Sequence, residues 1–135
     1  MKISKISKNT IKWLIAIFYV SALFVQLLVV LKIIPYSWVN GGNSESYESQ
    51  VMQSLISLVI ITVLFVFMCR LARQDGKLKK WKLQALYIIT IFWLVGLFMQ
   101  IAGTEFERYF LSLILLLGVV SHGILAWQTR TIISP

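Results

Sequence analysis

The sequence predicts an all-α integral membrane protein: a bundle of four helices made of two transmembrane hairpins, with both termini on one side. Three observations carry this expectation. Four apolar runs, each close to the length of a membrane span, fill most of the 135 residues. Each run is nearly free of formal charge. The chain as a whole is 59% hydrophobic and 13% charged, with mean hydropathy +0.82. A helix rises about 1.5 Å per residue, so about 20 residues cross a hydrocarbon core of about 30 Å. A soluble fold of this length has no means of hiding so much apolar surface, whereas lipid does. The reading is a single transmembrane domain, with no room beside the spans for a soluble catalytic unit.

The first span is expected at about residues 13–34. It follows Lys2, Lys5, Lys8 and Lys12, a signal-peptide-like start. The run is longer than an h-region of about 7–15 residues and ends without a small-x-small cleavage site, so it reads as a retained helix. Trp13 suits an interface, and Pro35, which has no N–H to donate, is expected to end or kink the helix. The loop that follows, Tyr36–Glu48, is the most varied segment outside the apolar runs. Asn40-Gly41-Gly42 marks a turn that uses positive φ. Asn43 and Ser44 are candidate N-caps for the second span, about 51–70, and Glu45 and Glu48 suit its positive end. Asp75-Gly76 marks a turn among basic residues. The third span, about 83–102, leads into a very short turn. There Thr104-x-x-Glu107 matches a capping box for the fourth span, about 107–128.

Charge placement orients the spans. Lys2, Lys5, Lys8, Lys12, Arg70, Arg73, Lys77, Lys79, Lys80, Lys82 and Arg130 fall on one side with Asp75 as the only acid. Glu45, Glu48, Glu105 and Glu107 fall on the other with Lys32 and Arg108. This is the positive-inside pattern, and it places both termini and the middle connection in the cytoplasm. The net charge of +8 therefore sets topology and meets anionic lipid rather than nucleic acid. The single cysteine, Cys69, rules out an internal disulfide and a CxxC motif.

Helix 2 carries the most polar face. At about 100° per residue Gln50, Gln53, Ser54 and Ser57 share a sector about 100° wide. That face either bonds to neighbouring helices or lines a cavity. Gln26, on one face with Tyr19, and Gln84, Thr90 and Gln100 on helix 3 are further neutral polar groups for the interior. Amides read neutral groups, so a pocket built from them suits an apolar or lipid-like ligand. No formal charge lies centrally in any span, which argues against ion pumps and proton-coupled transport. His122, with Gly118 one turn before it, reads as a packing histidine at a close approach of helices. His122 and Cys69 are too few for a zinc site, and no nucleophile–base pair, P-loop or HExxH is present. No cofactor and no catalytic residue is expected.

The outer loop, with Ile34-Pro35-Tyr36, Trp38-Val39-Asn40-Gly41-Gly42, Glu45 and Glu48, resembles that of a group of small bacterial four-span membrane proteins. Gly103-Thr104-x-Phe106-Glu107 resembles the same group's second outer turn. The resemblance covers most of the chain and implies this fold and a bacterial plasma membrane; it brings no activity. A more distant likeness, in helix count, size and an acid near helix 2, is to the EXPERA group of sterol-handling proteins. From all this the expected role is non-enzymatic: binding a lipid-like or apolar ligand, or a partner membrane protein, through the outer face. The candidate residues are Gln26, Trp38, Asn40, Glu45, Glu48, Gln53 and Ser57. Membrane lipids are expected partners, and a homodimer is one expected oligomer. The alternatives are a small homo-oligomeric exporter or channel, and an EXPERA-like isomerase that uses Glu45 or Glu48.

Overall fold

A computed structural model describes residues 6–74 and 78–130. It contains α1 (Lys8–Val30), α2 (Tyr47–Ala72), α3 (Lys80–Ala102) and α4 (Ser112–Thr129). One wide π-helical turn, Glu107–Leu111, leads into α4, so the fourth span runs Glu107–Thr129. All four are long and apolar enough to cross a membrane, yet only 17–28% of each apolar window is buried inside the protein. Ile17, Phe24, Val59, Ile88, Phe98 and Leu113 all face outward. In water this surface would far exceed what a monomer tolerates; in hydrocarbon it needs no cover. Lys2, Lys5, Lys77 and the Asp75-Gly76 turn lie outside the described residues.

Helix α1 packs on both α2 and α4, and α3 packs on α4, whereas α2 and α3 scarcely touch. The order around the bundle is thus α2, α1, α4, α3. Two antiparallel hairpins meet along an α1–α4 seam, and a gap is left between α2 and α3. The connections 31–46 and 103–106 form one end of the bundle, the loop end; residue 6, the end of α2 and the start of α3 lie at the opposite end.

The seam is built on Gly118. A Cβ there would come within 2.5 Å of the Phe18 ring, so the missing side chain is what lets α1 approach α4. Phe18 and Tyr19 are fully buried beside it, and Phe18 meets Trp93 edge-on at 5.0 Å while Tyr19 stacks on Phe65 at 5.2 Å. His122 Nδ1 lies 2.6 Å from the Gly118 carbonyl, and Nε2 lies 3.0 Å from the Tyr19 hydroxyl. A carbonyl only accepts, so Nδ1 carries the proton; Nε2 of the neutral ring then accepts from Tyr19. Every polar atom of this pair is matched, as burial requires.

Three element boundaries differ from expectation. Helix α1 starts at Lys8 rather than near Trp13, because Ser7 caps it by accepting from the Thr10 N–H at 3.2 Å. It stops at Val30, ahead of Pro35. Lys32 adopts φ 60°, and the Ile33 and Lys32 N–H groups bond back to the Leu28 and Val29 carbonyls. That is a Schellman closure with a lysine in the left-handed position glycine usually takes. Pro35 instead opens the short 3-10 turn Tyr36–Trp38. Helix α2 is capped by Ser46, which accepts from the Ser49 N–H at 3.3 Å, rather than by Asn43 or Ser44. Ser44 is turned inward and used elsewhere.

Candidate functional site

The loop end is locked by one carboxylate. Thr104 and Glu107 form the expected capping box: Thr104 Oγ1 accepts from the Glu107 N–H at 3.3 Å, and Glu107 Oε2 accepts from the Thr104 N–H at 2.8 Å. The side chain reaches further. The Gly41 N–H donates to Glu107 Oε1 and Oε2 at 3.1 and 3.0 Å. Asn40, Gly41 and Gly42 have φ of 55°, 65° and 71°, and this left-handed run turns the amide inward. Thr104 Oγ1 also donates to the Trp38 carbonyl. Gly103 makes room for the arrangement, since a Cβ there would strike the Glu107 carboxylate. Glu107 is consequently only 2% exposed, tying the first loop to the start of the fourth span. Its neighbour Arg108 points away, donating to the Ile101 and Gly103 carbonyls and closing the end of α3.

A second polar chain runs inward along α2. Asn40 Nδ2 donates to Ser44 Oγ at 3.3 Å, Ser44 Oγ donates to Gln50 Oε1, and Gln50 Nε2 donates to Ser54 Oγ at 3.3 Å. Ser44, Gln50 and Ser54 are all buried. This part of the polar face of helix 2 is therefore spent on structure.

Gln26, Ser57, Trp93 and Gln100 line a cavity of about 300 Å³ in the α2–α3 gap, whereas Gln84, expected in the interior, is exposed near the start of α3 and Thr90 donates to the Leu86 carbonyl of its own helix. Every helix contributes: Ala22, Val25 and Gln26 from α1; Ser57, Ile60 and Ile61 from α2; Phe92, Trp93, Val95, Gly96, Met99 and Gln100 from α3; Ile114 and Leu115 from α4, with Leu111 of the π turn. The lining carries no formal charge and is mostly apolar. The cavity lies toward the loop end: Gln100 stands in the last turn of α3, whereas Ser57 and Trp93 lie roughly 15 Å deep at 1.5 Å per residue. At its deep end Trp93 belongs to an aromatic layer with Phe18 and Tyr19 that closes the core.

The cavity is distinguished by what its polar groups lack. Trp93 Nε1 and Gln100 Oε1 are the buried side-chain polar atoms without a hydrogen-bond partner among the described residues, and both residues line it. The Trp93 ring meets the Tyr19 ring edge to face at 6.1 Å, and its N–H closes no hydrogen bond. Gln26 and Ser57 likewise find no side-chain partner among the described residues. A buried unmatched polar group costs about 1–3 kcal/mol, and hydrocarbon supplies no water to relieve it.

The expected site residues separate accordingly. Gln26 and Ser57 are brought together at the cavity. Asn40 and Trp38 belong to the loop lock, where Trp38 also rests on Phe106 with ring centroids 5.6 Å apart. Glu45 and Glu48 are exposed at the start of α2, and neither lines the cavity. Gln53 is exposed on the outside of α2, which corrects its expected place in the interior: it sits at the edge of the polar sector, and the helix is rotated to bury Gln50 and Ser54. Glu107 and Trp93 were outside the expected set, and Gln100 was expected only as a general interior amide. No group of His, Cys, Asp and Glu suited to a metal occurs among the described residues. Comparisons of the chain with protein-family models, curated proteins and solved structures find no match.

Proposed function

We propose that this protein binds a lipid-like or apolar molecule within its four-helix bundle without altering it chemically, admitting it sideways from the bilayer between α2 and α3. Its setting in this reading is a bacterial plasma membrane, with both termini and the α2–α3 connection in the cytoplasm. The observation that carries the reading is the cavity in the gap between the hairpins, apolar along its walls and faced by the Trp93 N–H and the Gln100 amide oxygen, which the fold leaves unmatched. Its volume sits at the small end of ligand pockets, enough for part of an amphipathic molecule with the remainder lying among lipid tails. A conduit needs a polar path from end to end, whereas here an aromatic layer lies below the cavity. An isomerase of the EXPERA kind needs Glu45 or Glu48 at the pocket, and both face outward at the loop end.

Native mass spectrometry of the protein released from mild detergent tests the reading. The expected result is a discrete retained mass, and the same spectrum reads the number of copies. Gly96→Leu should abolish retention while the helical content stays intact, because its side chain would enter the cavity. Gly96→Ala should be neutral, since a Cβ there meets only Leu115 Cδ1 at an ordinary 3.5 Å. Equal retention by the Leu variant would sink the cavity as the site.

A further inference from the structure

We infer that the ligand of this cavity is a neutral amphiphile with a hydroxyl head, held by Gln26 and Gln100 at the loop end with its apolar chain directed toward Trp93. This inference rests on the cavity reading above and names the ligand class. Of the unmatched groups, Ser57 can rotate its hydroxyl onto the Gln53 carbonyl one turn back, and Trp93 has the Tyr19 phenol beside it. The buried oxygen of Gln100 has no such recourse in the fold, and the half-buried Gln26 lines the same cavity. The two ends of an amide are interchangeable at the level of heavy-atom shape, so the buried end of Gln100 asks for a donor in one orientation and an acceptor in the other. A hydroxyl satisfies either, since it both donates and accepts. A pure hydrocarbon would leave the amide unmatched. A carboxylate or phosphate would be desolvated without a cation, because no lining residue is charged and the Arg108 guanidinium is engaged with the Ile101 and Gly103 carbonyls. The polarity gradient fits how amphiphiles lie in a bilayer: the amides stand near the loop end and the apolar wall of Gly96, Phe92 and Ile61 runs inward.

The test uses the full-length protein in mild detergent with Trp93 as the only tryptophan, through Trp13→Phe, Trp38→Phe, Trp81→Phe and Trp127→Phe. Terminally brominated decanol, decane and decanoic acid are titrated as contact quenchers of Trp93 fluorescence. The alcohol is expected to half-saturate at roughly tenfold lower concentration than the alkane, the effect of about one net hydrogen bond. In Gln26→Leu with Gln100→Leu that advantage should disappear while alkane quenching persists. Equal quenching by alcohol and alkane in the parent would overturn the hydroxyl class and leave the cavity reading standing. Tightest binding of the acid would overturn it in favour of an anion site. No saturable quenching by any probe, together with a bare mass in the native spectrum, would remove both readings. If the double variant fails to fold, the comparison of the three probes on the parent still decides the matter.

Discussion

At the scale of single residues, the seam depends on an absence. Gly118 has no side chain, and the Phe18 ring occupies the space one would need, 2.5 Å from an added Cβ. Gly118→Ala forces Phe18, and with it the Tyr19–His122 hydrogen bond, to move. Overpacking of this kind costs about 1–3 kcal/mol, so thermal unfolding in detergent should fall by several degrees. Adding Phe18→Leu should recover part of the loss by freeing the space. The pairing of His122 with Gly118 one turn earlier was legible in the sequence as a close approach of helices. That Phe18 and Tyr19 are the residues approaching it was not, because nothing local to α4 says which face of α1 will be opposite.

At the scale of elements, the capping box and the left-handed loop act together. Thr104-x-x-Glu107 was readable because a cap is a local arrangement within four consecutive residues. The same carboxylate's bond to the Gly41 N–H spans 66 positions, and no local signal encodes it. Glu107→Gln keeps one acceptor oxygen but turns an NH2 toward backbone donors. The expected result is a loss of about 2 kcal/mol in stability and faster proteolytic cleavage near Asn40–Ser44, with the four spans still formed. Unchanged protease resistance would show that the loop is held by its other contacts. The polar face of α2 teaches a related lesson. A sector of about 100° identified the right helix face, but its rotation against α1 decided the outcome. Gln50 and Ser54 went into a structural chain, Ser57 into the cavity and Gln53 out to the surface.

At the scale of the whole molecule, the number and approximate place of the four long apolar helices were legible because hydropathy and length follow directly from bilayer thickness, whereas their ends, set by local caps, differ by up to five residues from expectation. The cavity was not legible, since it is lined from all four helices and exists only where the two hairpins fail to meet. Orientation is a further whole-molecule property, and the one proposed above rests on the placement of basic residues in the sequence. In a Cys69→Ser background, Glu45→Cys should react with a membrane-impermeant maleimide added to intact cells. Lys8→Cys should react only after the membrane is permeabilised. The reverse pattern would invert the topology while leaving the bundle itself unchanged.

The α1–α4 seam also bears on how the protein is made. Tyr19 and His122 are separated by 103 positions, and Ile6 meets Gln128 across 122, so the first helix packs on the last as well as on its hairpin partner α2. Chains are synthesised N-terminus first at about 5–20 residues per second. Roughly 5–20 s of synthesis therefore separate the Tyr19 hydroxyl from its eventual acceptor. The first hairpin can form early, but assembly cannot finish before the final span has been inserted.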